Sequence, residues 1–107
     1  MRRGDVYWVD FDPARGGEIQ KRRPAVIVSN NAATRIQNRV QVVPLTSNTT
    51  TVHRWEALVS INGASSKALA DQIRTVAKER LTDHIGTLSL HDLLAMEKAL
   101  RVQLDLP

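Results

Sequence analysis

Cysteine is absent from the 107-residue sequence, which excludes disulfides, thiolate nucleophiles and cysteine-ligated zinc. Stability must then come from packing. No uncharged run is long and apolar enough to span a bilayer. The N-terminal MRRGDVYW meets an aspartate directly after its two arginines, so it lacks the apolar centre of a signal peptide. A cytoplasmic location without a membrane partner is expected. Repeats, low-complexity tracts and linkers are missing too. His53, His84 and His91 have no short ligand spacing, so no metal site and no cofactor is expected. Neither a Ser-His-Asp arrangement nor a phosphate-cradling GxxxxGK[ST] is legible.

What is present suits one folded domain over residues 1–107, with 42% hydrophobic and 24% charged residues. The net charge of +4 is uneven: residues 1–54 hold nine Lys or Arg against four acids, residues 55–107 six against seven. A positive N-terminal half favours an anionic partner, nucleic acid first.

DVYWVDF, Asp5 to Phe11, is β-branched and aromatic and ends at Asp12-Pro13, which predicts a first strand. After a glycine-containing polar loop, PAVIVS, Pro24 to Ser29, has the continuous apolar character of a strand buried on both faces. NNAATRIQ, Asn30 to Gln37, opens with capping-competent asparagines and suits a short helix or an irregular crossover. RVQVVPL, Arg39 to Leu45, predicts a third strand, with Pro44 implying an edge, a bulge or the strand's end. His53 to Ile61 alternates, with Trp55, Ala57, Val59 and Ile61 on the buried side, and Asn62-Gly63 is a turn signal. ALADQIRTV, Ala68 to Val76, suits either a helix or a strand, and the β-branched residues clustered at its end favour a further strand. Ser89 as N-cap and a stripe of Leu93, Met96, Leu100 and Leu104 predict a helix from Leu90 to about Leu104. The order suggests a small α+β domain with a curled antiparallel sheet and a C-terminal helix.

Lys21-Arg22-Arg23 closes the polar loop just ahead of a strand, and Thr46-Ser47-Asn48 lies where another strand opens into a loop. Guanidinium meets phosphate through a planar fork, and Thr, Ser and Asn supply neutral donors to phosphates or base edges. The combination suits a nucleic-acid backbone. A solvated loop whose charges only keep the fold soluble is the competing reading. Trp8 and Trp55 are expected in the core, although stacking on bases is chemically open to them.

GDVYWVDFDP at 4–13, GGE at 16–18, RRPAVIVS at 22–29, VVPLTS at 42–47 and ALADQIRTV at 68–76 resemble, in order, the successive blocks of the MazF/PemK toxins. These are small endoribonucleases of bacterial toxin–antitoxin modules. The resemblance implies an SH3-like antiparallel β-barrel of CcdB/PemK type with added helices, a homodimer, and cleavage of single-stranded RNA at a short sequence. It also implies inhibition by a cognate antitoxin whose acidic tail lies across the RNA groove. By that likeness Arg23 and Thr46 match the catalytic pair, Glu18 the loop acid, and Asp71-Gln72 the family's D-Q pair. Glu18, Gln20, Lys21, Arg22, Ser47, Asn48 and Gln72 are then the expected RNA-binding residues. Gly17 stands where the family's loop often has serine.

RNA carries its own nucleophile, the 2′-hydroxyl, so cleavage needs only alignment and a stabilised phosphoryl charge, with no metal. Two alternatives remain at this point: a CcdB-like toxin that binds DNA gyrase and cuts nothing, and a non-catalytic module for single-stranded RNA.

Overall fold

The computed structural model describes every residue except Ala14 and Gln20. In chain order the elements are β1 (Asp5–Asp10), β2 (Arg22–Ile27), α1 (Asn31–Ile36), β3 (Arg39–Thr46), β4 (Glu56–Ile61), β5 (Ala64–Leu69), β6 (Arg74–Ala77), β7 (Leu81–Thr87) and α2 (Leu90–Leu104). Short 3-10 turns at Ala70–Gln72 and Lys78–Arg80 join β5 to β6 and β6 to β7. The strands form one curled sheet in the order β4-β5-β3-β2-β1-β7, every recorded pairing antiparallel, with β6 also on β3.

Strand β3 organises the molecule. One of its edges pairs with β2. The other changes partner: β6 pairs from Arg39 to Val42, and β5 takes over at Leu45 and Thr46. Pro44 falls in the gap between these two partners, so a residue with no N–H to donate occupies the place where neither β5 nor β6 pairs. The strand therefore runs through the proline to Thr46 rather than stopping at it.

The continuous apolar run in β2 has a physical reason in two cores on opposite faces of the sheet. Val26, Val43 and Leu45 join Val6, Val59, Ala68, Leu88 and the α2 residues Met96 and Ala99 in one cluster. Ala25, Ile27, Val40 and Val42 join Val9, Phe11, Val76 and Leu81 in the other. Ile27 has no exposed surface. Ile27→Val removes one methylene from this second core and is expected to cost about 0.5–1.5 kcal/mol, readable from urea unfolding midpoints.

Helix α2 has the expected bounds, and the Ser89 side chain accepts from the Asp92 N–H as an N-cap should. Its buried stripe is shifted from the expected one: Met96 and Ala99 are buried, Leu93, Ala95 and Leu100 flank them, and Leu104 is exposed. Asn30 caps α1 by accepting from the Ala33 N–H, so the crossover is helical. Asn62 and Gly63 both have positive φ, 52° and 80°, in the two-residue turn between β4 and β5, as a primed hairpin turn requires.

Three expectations fail. Ala68–Val76 is not one strand: it comprises the end of β5, a 3-10 turn and the start of β6, as the chain crosses between two stations along the same edge of β3. The β4 strand starts at Glu56 rather than His53, and Trp55 is 38% exposed, stacked on His53 at 4.8 Å between ring centroids instead of entering the core. Trp8 is half-buried, its ring covered by the Arg22 guanidinium at 4.9 Å.

Candidate active site

The last recorded rung between β2 and β3 joins Ala25 to Pro44. Arg23 and Thr46 each lie two residues beyond it, in opposite chain directions. With a side-chain period of two, both stand on the face that carries Ala25 and Pro44, at the same end of the sheet. Beyond that rung the strands take other partners: Arg23 pairs with Val9 of β1, and Thr46 with Lys67 of β5. An apolar row, Ile27 and Ala25 on one strand and Val40, Val42 and Pro44 on the other, thus ends in an exposed guanidinium and a half-buried hydroxyl as the strands diverge. The sequence placed these two groups at strand ends, and the β2–β3 register sets both at the same end of the sheet.

Arg22 shows the same alternation from the other side. Its guanidinium donates to Asp83 at 2.6 Å and Thr82 at 2.7 Å and covers Trp8. It is turned toward β7, on the opposite face from Arg23. Lys21 is exposed with φ 62°, its N–H donating to Asp12 at 2.8 Å and its carbonyl accepting from the Phe11 N–H. Those bonds close the loop entrance and leave the ammonium in solvent. Gln20 lies outside the described residues.

The loop ahead of β2 is held from beneath by Gln72. Its Oε1 accepts from the Ile19 N–H at 2.6 Å, and its Nε2 donates to the Gly17 carbonyl at 3.5 Å. Glu18 is exposed and accepts from the Arg15 N–H at 2.7 Å, which closes a turn within the loop. Gly17, Glu18, Ile19, Asp71, Gln72, Ile73 and Arg74 together line an open cavity of about 490 Å³. Arg74 faces Phe11, its guanidinium 5.5 Å from the ring centroid.

Ser47 and Asn48 are exposed beyond Thr46, whose hydroxyl accepts from the Asn48 N–H at 3.3 Å. The loop they begin is anchored by a pair that sequence reasoning missed. Lys67 Nζ lies 3.4 Å from Glu56 Oε1, the two side chains 12% and 8% exposed, and donates to the Thr51 carbonyl at 2.8 Å. Glu56 in turn accepts from the His53 N–H at 2.8 Å. Since Lys67 is the cross-strand partner of Thr46, the loop is tied to the strand that carries the hydroxyl. A lysine among small residues in ASSKAL was the available signal. Among the described residues no three His, Asp or Glu side chains gather as metal ligands would.

A curled antiparallel sheet closed by a C-terminal helix, with a cation and a hydroxyl where two inner strands part, defines a small barrel-like toxin fold. The chain belongs to the PemK-like, MazF-like toxins of type II toxin-antitoxin systems, whose family model matches residues 2–104. It is 43% identical to the endoribonuclease MazF9 of Mycobacterium tuberculosis, across 99% of this chain and 98% of that protein. Among solved structures, a mycobacterial endoribonuclease in complex with its cognate antitoxin superimposes with a TM-score of 0.85 at 29% identity, covering 100% of this chain and 97% of that one. MazF from Deinococcus radiodurans gives 0.87 at 25% identity, covering 99% and 97%.

Proposed function

We propose that this chain is an endoribonuclease toxin that cleaves single-stranded RNA at a short sequence, without a metal or cofactor, through the RNA's own 2′-hydroxyl. The observation that carries the reading is the placement of Arg23 and Thr46 on one face of the sheet, where β2 and β3 separate. Family membership and the endoribonuclease names of the relatives support it.

In this mechanism the 2′-oxygen attacks the adjacent phosphorus and the bond to the 5′-oxygen breaks. The 2′-hydroxyl gives up its proton and the leaving oxygen gains one, leaving a 2′,3′-cyclic phosphate and a 5′-hydroxyl. Arg23 supplies a fixed positive field to the phosphoryl oxygens as charge gathers there. Its role is electrostatic, since a guanidinium with a pKa above about 12 does not act as a base near neutral pH. Thr46 donates its hydroxyl to the same phosphate. Glu18, Lys21, Ser47 and Asn48 face solvent around this position and contact phosphates and base edges, with Gln72 holding the loop to which Glu18 belongs.

The working form is a cytoplasmic homodimer, and a cognate antitoxin inhibits it by laying an acidic segment across the RNA groove. The solved mycobacterial relative in complex with its antitoxin supports that partner. Among the described residues no helix is long and apolar enough to cross a membrane.

RNA with 2′-deoxyribose at the cut nucleotide is expected to bind with little change in affinity and to remain intact, whereas the matching all-ribose strand yields fragments with 5′-hydroxyl ends. Mapping of the ends after incubation in EDTA checks both statements. Cleavage of the deoxy-substituted strand overturns the internal-nucleophile scheme.

A further inference from the structure

The opposite end of the sheet carries a second cationic hollow. Arg2, Arg35 and Lys78, with Met1, Asn31 and Thr34, line a cleft of about 410 Å³. The N-terminal segment is brought there by the Gly4 N–H, which donates to the Ile27 carbonyl at the end of β2, and by the Arg3 N–H, which donates to Asn31. Arg35 lies in the last turn of α1. Lys78 is set beside the start of β3 by its N–H, which donates to the Asn38 carbonyl at 2.9 Å.

Three charges from three segments thus converge, and among the described residues no acid lines the cleft. Of the nearby carboxylates, Asp5 lies outside the cleft lining and accepts from the Arg2 N–H and the Thr87 hydroxyl, and Glu79 shares a neighbouring hollow with Lys78 without forming an ion pair with it. Among the described residues none of the three cationic side chains has an ion-pair partner. Like charges held together without counter-charge repel one another, which an anion at this place would relieve.

We infer that this cleft is a second phosphate-binding site, which takes the backbone of an RNA strand that extends beyond the cut. This rests on the ribonuclease reading given above. The length of β3 sets the span: its eight residues separate Thr46 from Arg39 by roughly 23 Å at 3.3 Å per residue. Single-strand binding surfaces track runs of about 4–16 nucleotides, so one RNA chain can reach both ends. A strand held at the first site is present at the second at high effective concentration, which favours RNA over a freely diffusing acidic peptide.

The test uses the Thr46→Ala chain, to prevent cutting, and labelled single-stranded RNAs of about 3 nucleotides, too short to reach from one site to the other, and about 20 nucleotides, with binding read by fluorescence anisotropy across a salt series. Adding Arg2→Gln, Arg35→Gln and Lys78→Gln is expected to weaken the long RNA about tenfold and to lower the slope of log affinity against log salt by about 2, from about 0.7 per lost phosphate contact. The short RNA is expected to bind as before. Restoring charge with Arg35→Lys and Lys78→Arg in place of the two glutamines recovers most of the loss. An equal loss for both lengths, no loss for either, or displacement of the long RNA from the cleft by polyglutamate at lower concentration than by RNA overturns the inference. Because binding is read without cleavage, an intact RNA with wild-type protein would count against the ribonuclease reading, and the length comparison would still judge the cleft.

Discussion

Arg23→Ala is expected to lower kcat on single-stranded RNA by about a hundredfold to a thousandfold, the usual effect of deleting one preorganised donor at a developing oxyanion. The thermal midpoint is expected to change little, since the side chain is exposed and lies beyond the last β2–β3 rung. That separation of rate from stability is the diagnostic part. Arg23→Lys keeps the charge and loses the planar fork, so it is expected to recover only part of the rate. Arg22→Ala provides the internal control. Its guanidinium is committed to Thr82, Asp83 and the face of Trp8 on the other side of the strand, so kcat is expected to stay within a few-fold of wild type. Single-turnover cleavage at saturating protein, followed by gel analysis, measures all three variants. A rate for Arg23→Ala within tenfold of wild type would remove Arg23 from the reaction, and a larger loss for Arg22→Ala would reverse the assignment of faces.

The contrast between these neighbouring arginines shows where sequence reasoning reached its limit. Strands buried on both sides announce themselves, and so β2 and β3 were legible from PAVIVS and RVQVVPL. The end of each run marked Lys21-Arg22-Arg23 and Thr46-Ser47-Asn48 as groups leaving the core, and the family resemblance singled out Arg23 and Thr46 among them. Which of two adjacent arginines faced the hydroxyl depended on register, which PAVIVS alone does not encode. Strand β7 was not foreseen because LTDHIGT lies at an edge of the sheet, with Thr82, Asp83 and His84 exposed in succession, so it has no alternation to read. Strand β5 was hidden for another reason. ASSKAL consists mostly of small or polar residues of modest strand preference, and it is held by ladders to β4 and β3 that form only after the chain has folded. The break at Ala70–Gln72 arises because two short strands share one edge of β3, a tertiary fact with no local signature. Gln72 illustrates the same point at the site: the D-Q pair pointed to RNA, and the structure places the amide beneath the loop, bonded to Ile19 and Gly17.

Glu56→Leu and Lys67→Met are each expected to destabilise the fold by about 3 kcal/mol, near the lower end for breaking a buried ion pair by removing one partner. Both side chains are almost out of solvent, and each variant strands the other's charge. The geometry explains why they meet: Glu56 pairs with Leu69 and Leu58 with Lys67 in the β4–β5 ladder, so Glu56 and Lys67 are diagonal neighbours on one face. The double variant Glu56→Leu with Lys67→Met leaves no orphaned charge and fills similar volume, so its stability is expected to return most of the way to wild type. Urea unfolding of the four proteins gives the cycle, and simple addition of the two single losses would show that the groups act independently. Activity is expected to divide differently. The double variant still lacks the bonds from Lys67 to the Thr51 carbonyl and from the His53 N–H to Glu56, so the loop that starts at Ser47 loses its anchors even where the fold is restored. KM for RNA is therefore expected to rise in the double variant as in the single ones, while kcat, set by Arg23 and Thr46 on the strands themselves, stays within a few-fold. Recovery of KM together with stability would mean that the pair serves the fold alone and that the loop is positioned by other contacts.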